Sequence, residues 1–392
     1  MHHSTHPDFP ALRYGQPDTA FLRVLKQRVE GYFTVTGKDR FADRRMIGKT
    51  IFLLGIFSIC GILIYSDRLQ GIGLIATQVL WYVTMFIMTV GIAHDASHRA
   101  YSPHGWVNRE LNRVFDFVGI NTYMWEYNHV KSHHRAPNVP EYDSAIDSFQ
   151  LFRFHPRAPW RPFHRYQAYY IVFVYALATL FKLFFLDFFS FRRDRIGFLR
   201  IDRHPRRELV YFFFTRSLVI AYTLVGPLWL LSAPDAVVWT GFLLGHAING
   251  LALGAIFQVT HLSDRTSWPE PDPHGQLPMS YDRHILLTTA DFCPDSAVVT
   301  WISGGLNLHV IHHYFPGISQ VHLRPLTRIL RQTAREFGMP YVSMPSVYVA
   351  IRSHLRCLHL LGQSPTPGYS GRTFESKATR AVRKEENFER VV

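Results

Sequence analysis

Residues 71–98 read GIGLIATQVLWYVTMFIMTVGIAHDASH. An apolar run over about 71–93 passes without a break into His94 and His98. Apolar stretches of about 18 residues or more, with few charges, are candidates for crossing a membrane. Residues four apart share a helix face, so the first histidine pair should sit on the continuing helix, where it leaves the apolar layer. Two more clusters follow: His129-Val130-Lys131-Ser132-His133-His134 and His309-Val310-Ile311-His312-His313. A single pair spaced by four arises from helix geometry alone. Doubled histidines are harder to dismiss, because adjacent bulky polar residues serve little packing purpose. Eight imidazoles are too many for one tetrahedral ion and suit two metal ions held close together. Beside a membrane, such a centre points to oxidation of a hydrophobic molecule.

The chain has 392 residues and a mean hydropathy of −0.01. That average hides long apolar runs separated by charged stretches. The net charge is +13. Nucleic-acid binders are often basic, but here Arg and Lys flank apolar runs, so the positive-inside rule accounts for them better. No nucleic acid is expected as a partner. A basic cytoplasmic face would also attract anionic lipid headgroups and an acidic electron carrier. Cys60, Cys293 and Cys357 are an odd, widely spaced set, with no disulfide framework and no CxxC pair. Cys60 lies in an apolar run and reads as packing. Met1 to Pro10 is polar and lacks the apolar core of a cleavable signal peptide; His2 and His3 read as incidental.

Five apolar runs lie at about 50–66, 71–93, 167–189, 209–232 and 236–260. Residues 1–49 are polar, and Phe21 to Phe33 reads as an amphipathic helix that could lie on the membrane. The three clusters must meet on one side, so the chain must cross an even number of times between His134 and His309. The run 167–189 carries Lys182 and Asp187 and is therefore read as an interfacial segment. The remaining four form two hairpins, with short links at Asp67-Arg68-Leu69-Gln70 and Ser232-Ala233-Pro234-Asp235. The stretch FRRDRIGFLRIDRHPRR (191–207), with seven arginines, belongs on the cytoplasmic side with the clusters. The expectation is an all-α integral membrane protein. Four transmembrane helices in two hairpins carry a cytosolic helical cap with a di-iron site, and both termini are cytoplasmic. The domain spans 50–361; residues 316–361 read as amphipathic helices, and 362–392 as a disordered tail.

Imidazole binds zinc, copper, iron and nickel. Zinc has no redox chemistry, and no HExxH marks a zinc hydrolase. A histidine-rich pair of irons can accept electrons and activate O₂, which is what breaking an unactivated C–H bond requires. Carboxylate di-iron bundles use Glu-x-x-His pairs, and none lies near these clusters. Asp95, Asp143, Asp147 and Asp291 are candidates to orient the ligand imidazoles. His261, which follows an apolar run in Gln258-Val259-Thr260-His261, is a candidate ninth ligand. Asn307 could hold a water or a ligand ring. His246 and Asn249, inside an apolar run, should face the protein interior, where they either line a tunnel or bond between helices.

With these residues in place, the chain resembles the membrane fatty acid desaturases, in particular a bacterial linoleoyl-CoA desaturase-like branch. HDASHRAYS (94–102) resembles that family's first histidine box, and NHVKSHHRAPNVPEYDSAID (128–147) its second. TTADFCPDSAVVTWISGGLNLHVIHHYFPGISQVH (288–322) resembles its third, and FQVTH (257–261) its additional histidine segment. The resemblance covers roughly residues 20–345. It implies a mushroom-shaped helical protein, two iron ions, O₂ reduced to water, and two electrons per double bond formed. It also implies an acyl substrate linked to CoA, a carrier protein or a lipid, and a bacterial inner-membrane location. His309 stands where front-end desaturases of this branch commonly have Gln, which leaves the double-bond position open. No HPGG haem-binding segment occurs, so electrons are expected from a separate donor such as ferredoxin or cytochrome b5. A hydroxylase or acetylenase of the same superfamily, or a membrane metal transporter, are the alternatives.

Overall fold

The computed structural model describes residues 9–148 and 150–364; the tail expected from 362 lies, beyond residue 364, outside the described residues. Among the described residues five helices are long and apolar enough to cross a membrane: α2 (Arg44–Tyr65), α3 (Gly71–Ser97), α4 (Pro162–Phe191), α5 (Arg206–Leu230) and α6 (Asp235–Gln258). Their outward faces expose large apolar side chains, among them Ile51, Ile62, Phe173, Phe214 and Trp229. Exposed apolar area of this kind is what lipid would cover.

Helix α6 sits at the centre of the bundle, and its glycines put it there. A Cβ at Gly241 would lie 2.1 Å from Gln78, and one at Gly245 would lie 2.2 Å from the Tyr82 ring, both on α3. On the other side, Gly250 and Gly254 admit the backbone and ring of Tyr175 on α4. Two Gly-xxx-Gly pairs thus let two neighbours approach one helix closely, as small residues do between helices in lipid. Trp81, Met85, Leu183, Val219 and Phe242 fill the space between them.

The two short links lie together: the Ser232 N–H donates to Asp67 Oδ1 at 2.8 Å, and Gln70 Nε2 donates to Ser232 Oγ at 3.1 Å. They mark one end of the bundle. Helices α3 and α6 run from that end to His94 and His261, so both histidines emerge at the other end, among the polar segments.

The run 167–189 is as long and apolar as its neighbours, being part of the 30-residue α4. Its charges are nevertheless paired inside the protein. Asp187, fully buried, takes Lys182 at 2.8 Å and Arg216 of α5 at 2.5 Å. Both ends of α4 meet polar segments. The Cβ of a residue at Gly362 would touch the His164 carbonyl, and the Phe191 ring packs 5.2 Å from His204.

One expectation is corrected at the N-terminus. Helix α1 (Thr19–Thr36) does turn an apolar stripe inward, but onto protein rather than onto a membrane. Phe21, Leu25 and Val29 are buried against Leu326 and Leu330 of α8 (Leu323–Glu336) and against Ile311 of α7 (His309–Tyr314). Arg28 ties the pair by donating to Thr333 and Glu336 at 2.9 and 2.6 Å. Amphipathic periodicity shows that a face must be covered, not what covers it.

Candidate metal centre

Three of the four histidine-bearing segments are entered through a π-helical turn. Such a turn stands before His94 (Thr89–Ala93), around His129 (Glu126–Ser132) and before His261 (Gly254–Gln258). The extra residue per turn swings the following side chains out of α-helical register, and π-turns recur at functional sites for that reason. The third cluster rides on α7.

The four segments bring nine imidazoles into one buried cluster. His94, His98, His129 and His312 form one group, and His133, His261, His309 and His313 a second, each offering four nitrogens within 4.8 Å of one another. His134 lies between them. Its Nε2 stands 3.2 Å from the Nε2 atoms of His129 and His312, and its ring stacks on His313 at 4.3 Å.

The ring nitrogens converge in pairs at distances that either a shared proton or a shared ion spans. The Nε2 atoms of His94 and His129 are 3.0 Å apart, and those of His133 and His261 3.1 Å apart. Two nitrogens on one ion at about 2.0–2.1 Å stand about 2.9–3.4 Å apart. His98 Nε2 and both ring nitrogens of His309 and His313 are buried without a hydrogen bond. Orphaned buried polar atoms are costly, and a bound cation would satisfy these together.

Electrostatics favours the same use. Burial pushes His98 and His261 down to about 3. Burial, and then the neighbouring imidazoles, hold His129, His134, His309, His312 and His313 below the ordinary histidine value. A neutral imidazole keeps a free lone pair for a metal. His133 presents its Nδ1 to both oxygens of Asp143, at 3.1 and 3.0 Å, and His261 presents its Nδ1 to the Thr288 carbonyl at 3.0 Å. Each contact directs Nε2 toward the cluster. Burial alone would raise the Asp143 carboxyl, but His133 and the N–H groups of Ala145 and Asn138 hold it below its usual range.

Of the residues expected to orient imidazoles, Asp143 touches one. The other three aspartates, and Asn307, are placed differently. Asp95 accepts from Ser319 Oγ at 2.7 Å and from Gln320 N–H at 3.0 Å, tying the first cluster to the turn after the third. Asp291 accepts from the Val310 N–H at 2.8 Å and from the Tyr341 hydroxyl, so it caps the helix of the third cluster. Asp147 pairs with Arg193 at 2.7 Å, with about half of its side chain exposed. Asn307 was expected to hold a water or a ring. Instead it donates to the carbonyls of Phe292 and Cys293 and accepts from Ser303. Helix and turn geometry next to a histidine cluster turns these polar groups to backbone, hydroxyls or, for Asp147, an arginine, a direction that sequence spacing does not carry. His246 and Asn249 bond between helices, to Thr179 at 3.0 Å and to the Tyr82 carbonyl at 2.8 Å.

Two further contributors were missed. Trp125 lays its ring 4.4 Å from that of His129. Asn138 donates from its backbone N–H to Asp143 at 2.8 Å and from its side chain to the His261 carbonyl at 2.8 Å. Its φ of 59° is a conformation that Asn tolerates better than most residues, and an Asn set between Pro137 and Val139-Pro140 is the only trace of this in the sequence. A cavity of about 350 Å³ opens beside the centre, lined by His129, His133, His261, Trp125, Phe257 and Lys182.

The sequence profile of the fatty acid desaturase family matches residues 72–345. The chain is 28% identical over 347 residues to an sn-1 linoleoyl-lipid 6-desaturase of Synechocystis sp., covering 88% of this chain and 96% of that protein. It is 29% identical to an acyl-lipid (8-3)-desaturase of Physcomitrium patens (87% and 72% covered) and 28% identical to one of Mortierella alpina (88% and 79% covered). No solved structure matches the chain.

Proposed function

The chain belongs to the fatty acid desaturase family and is an oxidoreductase acting on fatty acyl chains; from that premise we propose that it introduces a double bond into the acyl chain of a membrane lipid, at two irons held by nine histidines. The observation that carries the reading is the pair of four-histidine groups opening onto one cavity beside an apolar bundle. His94, His98, His129 and His312, with His134, would hold one ion; His133, His261, His309 and His313 would hold the other. Bound iron would supply the O₂ activation that an unactivated C–H bond demands. The chain supplies the geometry. Asp143 and the Thr288 carbonyl fix two rings, and Asp291 fixes the helix that carries three more. Trp125, Ile146, Leu186 and Phe257 give the cavity apolar wall for a hydrocarbon chain, and Lys182, Asp187 and Arg193 add charge to its lining. The names of the relatives favour a lipid-linked acyl chain over one linked to CoA or to a carrier protein. Two electrons per double bond come from a separate protein donor such as ferredoxin or cytochrome b5.

In the same reading α2, α3, α5 and α6 cross the membrane, α4 lies at the interface, and the metal centre and both termini face the cytoplasm of a bacterial inner membrane. Three features support it: the two short links meet at the end opposite the histidines, both ends of α4 contact polar segments, and the arginine-rich stretch 191–207 follows α4. The function is tested by expressing the chain in a host supplied with defined acyl chains and following lipid classes by mass spectrometry. The expected result is a phospholipid-linked chain lacking two hydrogens, formed before any change in the acyl-CoA pool. Products gaining an oxygen, or unsaturation appearing first on CoA, would overturn the proposal.

A further inference from the structure

Lys49 is a cation in the apolar helix α2, yet it is buried, with 7% of its surface exposed. A lysine in such a helix is costly unless it faces the interior and finds partners. Its ammonium donates to the Trp301 carbonyl at 2.6 Å and to Gln320 Oε1 at 2.8 Å, and lies 4.9 Å from the centre of the Trp301 ring. Gln320 passes the contact on. Its Nε2 donates to the Gly91 carbonyl, inside the π-turn that precedes His94, and its backbone N–H donates to Asp95 at 3.0 Å.

The site is shaped around these contacts. A Cβ at Gly91 would stand 3.1 Å from the Lys49 nitrogen. Gly304, at φ +64°, lets the turn before the third cluster press on the Val90 carbonyl, where a Cβ would come within 2.1 Å. Trp301 and Gly304 precede the third cluster, Ser319 and Gln320 follow it, and Gly91 and Asp95 flank His94. One lysine on the first membrane helix therefore clamps the π-turn of the first cluster to both flanks of the third.

We propose that Lys49 and Gln320 are positioning residues that aim His94 and His98, and so set how firmly one of the two ions is held. The inference rests on the two-ion reading above. Its content is an asymmetry. His94 and His98 belong to the first histidine group, and the second contains neither. Of the second group, His133 and His261 are oriented by Asp143 and the Thr288 carbonyl, and His309 and His313 ride on α7, whose first turn Asp291 caps from another segment. Loss of the clamp frees the π-turn before His94 outright, while α7 keeps its Asp291 cap, so it loosens the ion of the first group more than its neighbour. A lysine that only held the fold together would weaken both in step.

The test uses the full-length protein in detergent, loaded with ferrous iron, with iron content and release to an excess of chelator measured for wild type, Lys49→Met and Gln320→Glu. Gln320→Glu keeps an acceptor for Lys49 but removes the donor to the Gly91 carbonyl, so it probes the clamp without stranding the ammonium. Wild type should hold two irons; if it holds none, the two-ion reading and this proposal fall together. Each variant should release one iron roughly tenfold faster or more, the scale on which loss of ligand support acts, with the second iron leaving at a rate much nearer that of wild type. Parallel acceleration of both irons, or no change in either, overturns the positioning role while leaving the two-ion reading standing.

Discussion

Replacing Asp143 by Asn changes one atom and removes one charge, and the structure fixes what that does. The carboxylate is fully buried. It accepts from His133 Nδ1 at 3.1 and 3.0 Å, from the Ala145 N–H at 2.8 Å and from the Asn138 N–H at 2.8 Å. The Ala145 donor meets Oδ1 and the Asn138 donor meets Oδ2, so either orientation of an Asn amide points its NH₂ at a backbone N–H. One buried donor is left without an acceptor, at about 1–3 kcal/mol. The charge-assisted bond to His133 weakens as well, and such support is worth about 10–100-fold in metal affinity, or about 1.4–2.7 kcal/mol. The variant should stay helical and membrane-inserted, melt lower than wild type, and bind one iron normally and the other about 10–100-fold more weakly. Iron titration of the purified protein, with thermal unfolding followed by circular dichroism, reads both effects. Two irons bound at wild-type affinity would refute the view that Asp143 orients a ligand; equal weakening of both would refute its assignment to one group.

Three other outcomes follow from the same geometry. A cysteine at Ser232 should react with an impermeant thiol reagent added from the non-cytoplasmic side and one at Ser148 should not; the reverse pattern overturns the proposed orientation. Gly245→Ala places a Cβ 2.2 Å from the Tyr82 ring, so α3 and α6 must part, and thermal stability should fall by about 1–3 kcal/mol; an unchanged melting temperature would mean that the helices do not meet as described. His261→Ala should lose iron from the second group together with turnover, and two irons retained at normal turnover would make His261 a bystander.

The apolar runs and histidine clusters were legible because they are local patterns with physical periods. Charge sparsity over 71–93 marked α3, and the continuing helix placed His94 and His98 on its face. His261 was legible only as the end of another such run, yet it falls in the second group beside His133. His134 belongs to the second cluster in sequence, yet its Nε2 faces two nitrogens of the first group while its ring stacks on His313 of the second. Spacing could not separate the nine rings into two groups, because π-turns rotate each segment by amounts that depend on what packs against it.

The sequence by itself determined that apolar helices carry histidines to one end of a bundle, since hydropathy and helical period act within a single segment. Tertiary structure decided what each polar neighbour does. Asp95, Asp291 and Asn307 turn to backbone, and Asp143 alone of the four aspartates reaches a ring. Helix α1 covers α8 instead of lipid. The lysine of α2 meets a glutamine some 270 residues away in the chain, and that glutamine in turn meets the turn before His94. Each of these outcomes depends on which surface a side chain meets, and that surface belongs to residues far off in sequence, brought near only by the tertiary fold.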